Sequence, residues 1–392
     1  MEKTTDSLVG MIMDDYVNGF LDSLPSNRRR VGEEQELPVT WPCGRAADAS
    51  TMWPGLQEAG WNRCSTDNHH ALQNCSGWGL TPETGFHVLE VISPPREDLY
   101  QLAREKDKVL AQLAKCANEQ DLWLLSYGVH PLTSFGDLRW VHLPRYAAMR
   151  EALCSCGYQV DPVLETGSQQ CQIDVTRSEA AIALQVFNGL SGLLVAMFNH
   201  SPVRRGAKSD FKAVRQLAYS GFPKGRFGIL PSFGSLEEWV DYLMDSWLLF
   251  HHVSGSPGKY KPNRDGTTMR QFLSNGHELS FNKAMRELLR QEGTMWPEAR
   301  LRWRPGGNCT IEVRSACPQL PGDHAVSALS VGLVENLDEA AQMLKRLDWN
   351  QWREIRDLAI QYGMSFSYEA LRQKLPQVLK ELVDIAKRGL AK

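Results

Sequence analysis

Four glutamates in this sequence stand where a carboxylate is costly. Glu34 and Glu36 lie in VGEEQELPVT (31–40), Glu90 in HVLEVI and Glu312 in TIEVR, the last two between β-branched or leucine neighbours. Such stretches read as strands, whose side chains alternate, so Glu34 and Glu36 share one face while Glu33 and Gln35 take the other. Glutamate is depleted in strands, and like charges on one face repel. A lone carboxylate in an apolar strand is expensive unless it is paired or bound to a metal. Taken alone, segment 31–40 reads equally well as a solvated edge strand. All four acids on one sheet face would form an anionic cradle of the hard oxygen donors that Mg²⁺ takes. No GxGxxG is present, and Gly258-Lys259 lacks the upstream glycine of a P-loop. A bound nucleotide would then be held by Mg²⁺ on carboxylates and by arginines, with Arg215, Arg226, Arg300 and Arg314 as candidates.

These side chains need strands and helices to position them, and the two alternate along the chain. GFHVLEVISPP (85–95) predicts a strand ended by Pro94-Pro95, and Leu99, Leu102, Val109, Leu110 and Leu113 mark an amphipathic helix over 97–117. LWLLSYGVHP (122–131) predicts a buried strand, 144–154 a helix, QQCQIDV (169–175) a strand and CTIEVRSAC (309–317) another. Thr176-Arg-Ser-Glu179 and Ser235-Leu-Glu-Glu238 are capping boxes. The first opens a stretch (180–199) of twenty uncharged residues, near the length of a membrane span. Gln185, Asn188, Ser191 and Asn199 interrupt it, which predicts a buried central helix and no membrane partner. The second predicts a helix through WVDYLMDSWLLF, and LPQVLKELVDIAKRGL predicts a C-terminal helix. No repeat or linker divides the chain, so residues 1–392 read as a single domain.

Composition narrows the function classes. A hydrophobic content of 42% and a charged content of 23% are ordinary globular values. A net charge of −3 excludes the basic excess of a nucleic-acid binder. The basic runs Arg28-Arg29-Arg30 and Arg204-Arg205 read as solvated surface. Nine cysteines at irregular spacing, with no CxxC pair, predict reduced thiols in a cytoplasmic protein. The acidic start MEKTTDSLVGMIMDDYV has no basic region of a signal peptide.

The ordered set RRRVGEEQE, LEVISPP, CQIDV, AMFNHSP, KAVRQLAY, GRFGILPSFGSLEEWVDYLMD and TIEVRSACP resembles the glutamate–cysteine ligase family, in the branch shared by plant and bacterial enzymes. The resemblance runs from about residue 28 to the C-terminal LVDIAKRGL. It implies an α+β, glutamine-synthetase-like fold: a curved, mainly antiparallel sheet forming a funnel, helices outside, ATP and Mg²⁺ over the acidic face. It also implies an ATP-dependent carboxylate–amine ligase that joins the γ-carboxylate of glutamate to the amine of cysteine through a γ-glutamyl phosphate. Glu34 and Glu36 match the family's G-x-E-x-E strand, Glu90 the acid before its small-residue–Pro turn, and Gln170 and Gln172 polar positions facing the site. Arg215 matches the arginine after the S-P loop, Arg226 that of the R-x-G-x-x-P turn, and Glu312 and Arg314 the E-x-R strand. The implied roles are metal binding for the four glutamates, catalysis for Arg215, Arg226 and Arg314, and substrate or ATP binding for Gln170, Gln172 and those three arginines, with Arg300 an ATP-binding candidate by residue type.

The sequence departs from the family at Thr81–Gly85, at His200, in RPGGNC (304–309) and at Ser315–Cys317, loops that could line the pocket for the amine. His130-Pro131 resembles the bacterial branch. A different amine acceptor is therefore the alternative, and an inactive binding or scaffold protein a third reading, disfavoured by retention of the costly acids. The acceptor must attack as a neutral amine, so a base is useful. His130 and His200 qualify by residue type only, and a satisfied structural histidine is the stronger reading of each.

Overall fold

The computed structural model describes residues 2–391 apart from 27, 65–69, 200, 254, 257, 275–278 and 305–308, with the side chains of 2–7 also left aside. Its centre is a nine-stranded sheet. The strands are β1 (Val31–Thr40), β2 (Asn62–Arg63), β3 (Leu72–Gln73), β4 (Gly79–Pro82), β5 (Val88–Ile92), β6 (Trp123–Leu124), β7 (Gln169–Asp174), β8 (Ala299–Arg302) and β9 (Thr310–Ala316). They run in the order β8-β9-β7-β1-β5-β4-β3-β2, with β6 pairing the far end of β1. Every pairing is antiparallel, and the sheet is open, ending at β8 and β2.

Alternation along the strands sorts the two faces. Leu37, Leu80, Leu89, Val91, Ile173, Leu301, Ile311 and Val313 point to one side and join a single apolar cluster that takes in residues from Val9 to Ala386. Helices Leu99–Asn118, Arg177–Gly189 and Ala325–Glu335 supply the other side of this core. Two polar residues share the apolar face of β1. Glu33 forms a 2.6 Å ion pair with Lys106 and accepts from the Ser327 hydroxyl, while Gln35 donates to the Gln319 carbonyl at 2.9 Å. Removing the pair's charges from water is costly, and the contacts offset that cost only while both partners are present.

Segment 180–199 is buried, as expected, yet it is two helices. Arg177–Gly189 and Ser191–Phe198 meet at a 53° bend. Asn188 donates to the Leu184 and Ala299 carbonyls, and the Ser191 hydroxyl donates to the Asn188 carbonyl at 2.6 Å. Gly and Ser at a helix junction, with side chains competing for backbone carbonyls, cause such kinks. Gly192 lets the second helix lie against the backbone of Arg356; a Cβ there would be 2.7 Å from its nitrogen. No single helix among the described residues is long and apolar enough to cross a membrane.

Three further expectations need correction. LWLLSYGVHP holds only the two-residue β6, and Trp123 is exposed, because pairing with β1 stops at Val39 and Thr40. The helix after Ser235 ends at Asp245, and Phe250–His252 instead pairs with Tyr260–Pro262. The basic runs are ion-paired: buried Arg29 bridges Glu179 and Glu335, and Arg204 and Arg205 converge on the buried Glu165.

Candidate functional site

The polar face of the sheet is read directly from register, since residues opposite one another across an antiparallel ladder project to the same side. One row runs Arg300 (β8), Glu312 (β9), Gln172 (β7), Gly32 (β1). The next runs Gln170 (β7), Glu34 (β1), Ile92 (β5), and a third Glu36 (β1), Glu90 (β5), Thr81 (β4). Six of the expected side chains therefore meet on one surface, with Arg300 joining them from the edge strand. Continuing the β7–β9 register one residue past Val313 and Cys171 sets Arg314 beside Gln170, ahead of the irregularity that ends at Ala316.

Charge on this face is graded. At the β8–β9 end Glu312 is gripped by Arg300, by Arg314 at 2.9 Å and by Arg302 at 3.9 Å. Gln170 then accepts from Arg314 and donates to Glu36 at 2.7 Å. Gln172 likewise accepts from Arg304 and donates to Glu34. Each amide thus presents its oxygen to a guanidinium and its nitrogen to a carboxylate, linking a cationic half to an anionic half.

The anionic half is under-compensated. Burial and then Glu312 raise Glu34 to about 7, against the pull of Arg302, Arg314 and Arg300. Glu90 is raised well above the carboxylate range by burial and by Glu83, Glu34, Glu36 and Glu312 together. Among the described residues its carboxyl makes no hydrogen bond or ion pair. Burial opposes charge on Glu312 as well, but Arg300, Arg314 and Arg302 hold it below the usual range. Mutually repelling carboxylates in a desolvated setting suit a divalent cation, so the donor chemistry at Glu34, Glu36 and Glu90 fits Mg²⁺. No three acidic, histidine or cysteine side chains among the described residues are already drawn into a ligand shell. Glu312 departs from the metal-ligand expectation, because its register opposite Arg300 commits both oxygens to guanidinium groups. A cavity of about 440 Å³ opens beside Glu34, lined by Arg30, Gly32, Gln172, Asp174 and Arg304.

The remaining candidates divide. Arg215 reaches the site's margin: it donates to the Arg314 carbonyl at 3.1 Å, and its buried Nε has no partner among the described residues. Arg226 is not brought to the acids. Its guanidinium donates to the carbonyls of Trp247 and Thr294 (2.8 Å for the latter), and burial lowers its pKa to about 10. His130 is fully buried, with Nε2 2.9 Å from the His87 carbonyl and a pKa lowered by burial to about 4, the signature of a structural histidine. His200 lies outside the described residues, as do residues 305–308 of RPGGNC.

Sequence reasoning missed Arg302, Arg304 and Glu83. The arginines were available to it, since 300, 302 and 304 alternate in phase with Glu312's partner strand. Glu83 sits in the β4–β5 turn, where no periodicity marks a direction.

The sequence model of the glutamate–cysteine ligase family 2 matches residues 65–384. Proteins named "Putative glutamate–cysteine ligase 2" from Roseiflexus castenholzii and Chloroflexus aurantiacus are each 26% identical over 165 residues. That span is 42% of this chain, and only 42% and 41% of those relatives. Among solved structures, the glutamate–cysteine ligase of Francisella tularensis in complex with AMP has a similar fold. Its TM-score is 0.55 at 14% identity, covering 94% of this chain and 79% of that one. A bifunctional glutathione synthetase from Pasteurella multocida gives 0.50 at 12% identity, covering 98% and 49%.

Proposed function

Because the chain belongs to the glutamate–cysteine ligase family 2, we propose that it is an ATP-dependent ligase joining the γ-carboxylate of L-glutamate to the amine of L-cysteine. The route is an acyl phosphate, since a carboxylate is a poor electrophile until phosphate gives it a leaving group. The observation that carries this reading is the graded face: arginines on β8 and β9, carboxylates on β1 and β5, glutamines between. Phosphoryl transfer to a carboxylate needs both signs of charge within one short span.

In this reading Glu34, Glu36 and Glu90 would hold Mg²⁺, which would offset the charge of the phosphates. Arg314 and Arg300, braced by Glu312, meet the transferring phosphoryl group; a guanidinium already fixed by a carboxylate loses little freedom on doing so. Gln170 and Gln172 keep the two halves at a set spacing. Arg215, whose buried Nε has no partner among the described residues, would take a substrate carboxylate. ATP and the two small substrates are the only partners this chemistry requires.

The changed segments at 81–85 and 304–317 favour keeping a second acceptor in view: a carboxylate–amine ligase using glutamate and another amine. Glutamate-dependent ADP release, screened over amino acids and simple amines with the product identified by mass, tests both. Strong stimulation by cysteine and a γ-glutamylcysteine product are expected. Stimulation by another amine in its place selects the alternative, and no amine-dependent ADP release would overturn the ligase reading.

A further inference from the structure

The reverse face of β1 borders a second cavity. Side chains alternate along the strand, so Gln35 and Leu37 face away from Glu34 and Glu36. They line a space of about 560 Å³, within the roughly 300–1,000 Å³ of small-molecule sites. Leu110 of helix Leu99–Asn118 is a buried part of the wall, and Ala114, one turn further along that helix, is an exposed part. Segment 124–131 supplies another wall, held to β1 by the Leu125 amide, which donates to the Pro38 carbonyl at 2.9 Å. Leu320, largely exposed, also lines the cavity, which is thus open to solvent.

The lining selects a chemistry. Among the described residues no charged side chain contributes to it, which leaves nothing to offset the charge of a nucleotide or an amino acid. Only Gln35, Ser126 and Tyr127 bring polar side chains. The Tyr127 hydroxyl is engaged, accepting from the Val203 amide at 2.6 Å. Gln35 is half engaged. Its amide nitrogen donates to the Gln319 carbonyl at 2.9 Å, and because a carbonyl only accepts, this bond fixes which way the carboxamide is turned. The Gln35 oxygen is left buried with no partner among the described residues. A buried acceptor without a donor costs free energy, and a ligand N–H or O–H removes that cost. Water is a poor occupant of a largely aliphatic wall, since it needs roughly two to four polar partners.

We propose that this cavity binds a small neutral molecule with an apolar body and one N–H or O–H donor, the donor meeting the Gln35 carboxamide oxygen. The site lies across the sheet from the acids and does not depend on the ligase reading. Its ligand is of a different class from ATP and the two amino acids, whose charges this lining would leave unpaired.

Indole and benzofuran are suitable probes, because they share size and shape and differ in carrying an N–H donor or an oxygen acceptor at one ring position. In calorimetric titration of the full chain, indole is expected to bind about three- to tenfold more tightly than benzofuran, the scale of one neutral hydrogen bond. Gln35→Met keeps the reach of the side chain and removes the oxygen, so the two affinities should converge. Ala114→Phe adds bulk to the lining from an exposed helix position, where folding is little affected, and should weaken both probes. No heat with either probe, equal affinities in the wild type, an indole preference that survives Gln35→Met, or wild-type binding by Ala114→Phe overturns the site. Self-association that Leu320→Asp abolishes, in a protein that takes up neither probe, also overturns it and assigns the face to a second copy of the chain.

Discussion

Arg226 and Arg314 are both buried arginines on matched motifs, and their partners separate their roles. Arg314 contacts Glu312 and Gln170 on the charged face, so Arg314→Lys removes a planar fork from the reacting region. A fall in kcat/KM equivalent to about 2–4 kcal/mol is expected in the folded variant, separate from any stability lost with the contacts to Glu312 and Gln170. Arg226 instead ties the carbonyls of Trp247 and Thr294. Arg226→Lys should cost about 1–3 kcal/mol in urea unfolding, because those acceptors stay buried with fewer donors, and the variant that folds should turn over normally. A rate loss without a stability loss in Arg226→Lys would return this residue to the site. The acids were legible in the sequence because a carboxylate inside an apolar strand violates its surroundings. Arg226 was misread for the opposite reason: an arginine's sequence neighbours do not reveal whether its fork meets a ligand or a carbonyl.

At the level of elements, β1 carries work on both faces. Its even-numbered acids face the site, while Glu33 on the other side is locked to Lys106 of helix Leu99–Asn118 and to Ser327. Lys106→Met is expected to destabilise by about 3–5 kcal/mol, since it strands a buried carboxylate. Adding Glu33→Gln should recover much of that loss, and an additive double variant in urea titration would show that the two side chains are energetically independent. The long strands and helices were readable from their periods of two and 3.6. The two-residue strands β2, β3 and β6 were not, because two residues carry no period and their pairing is decided by the neighbouring strand. The bend at Leu190 was hidden likewise, since Asn188 and Ser191 looked like polar interruptions until their backbone acceptors were known.

For the molecule as a whole, the crowded acids impose a pH dependence. Glu34 and Glu83 sit at about 7 when folded against a usual 4.5, and Glu90 is also raised. The folded chain therefore holds more protons than the unfolded chain between those values. Its stability is full below 4.5 and declines as pH rises through about 7. Glu312, held low, has the opposite dependence, confined to the acid side of that window. Melting temperature without divalent ions should fall from pH 5 to pH 8, millimolar Mg²⁺ should flatten the fall, and Glu90→Gln should do so without the ion. A melting temperature that is flat with pH and blind to Mg²⁺ would remove the cation from these acids. The strand order has a consequence for how the protein is made. β1, β5 and β7 are all complete by Asp174, whereas β9, which brings Glu312 and Arg314, ends only at Ala316. A growing chain emerging from the ribosome thus carries the negative half of its site, and an unpaired β7 edge, long before the positive half exists. The nascent protein must wait for its last strands before Arg300 and Arg314, the arginines proposed to meet phosphate, exist, and any early stop before them yields a product whose sheet face lacks both.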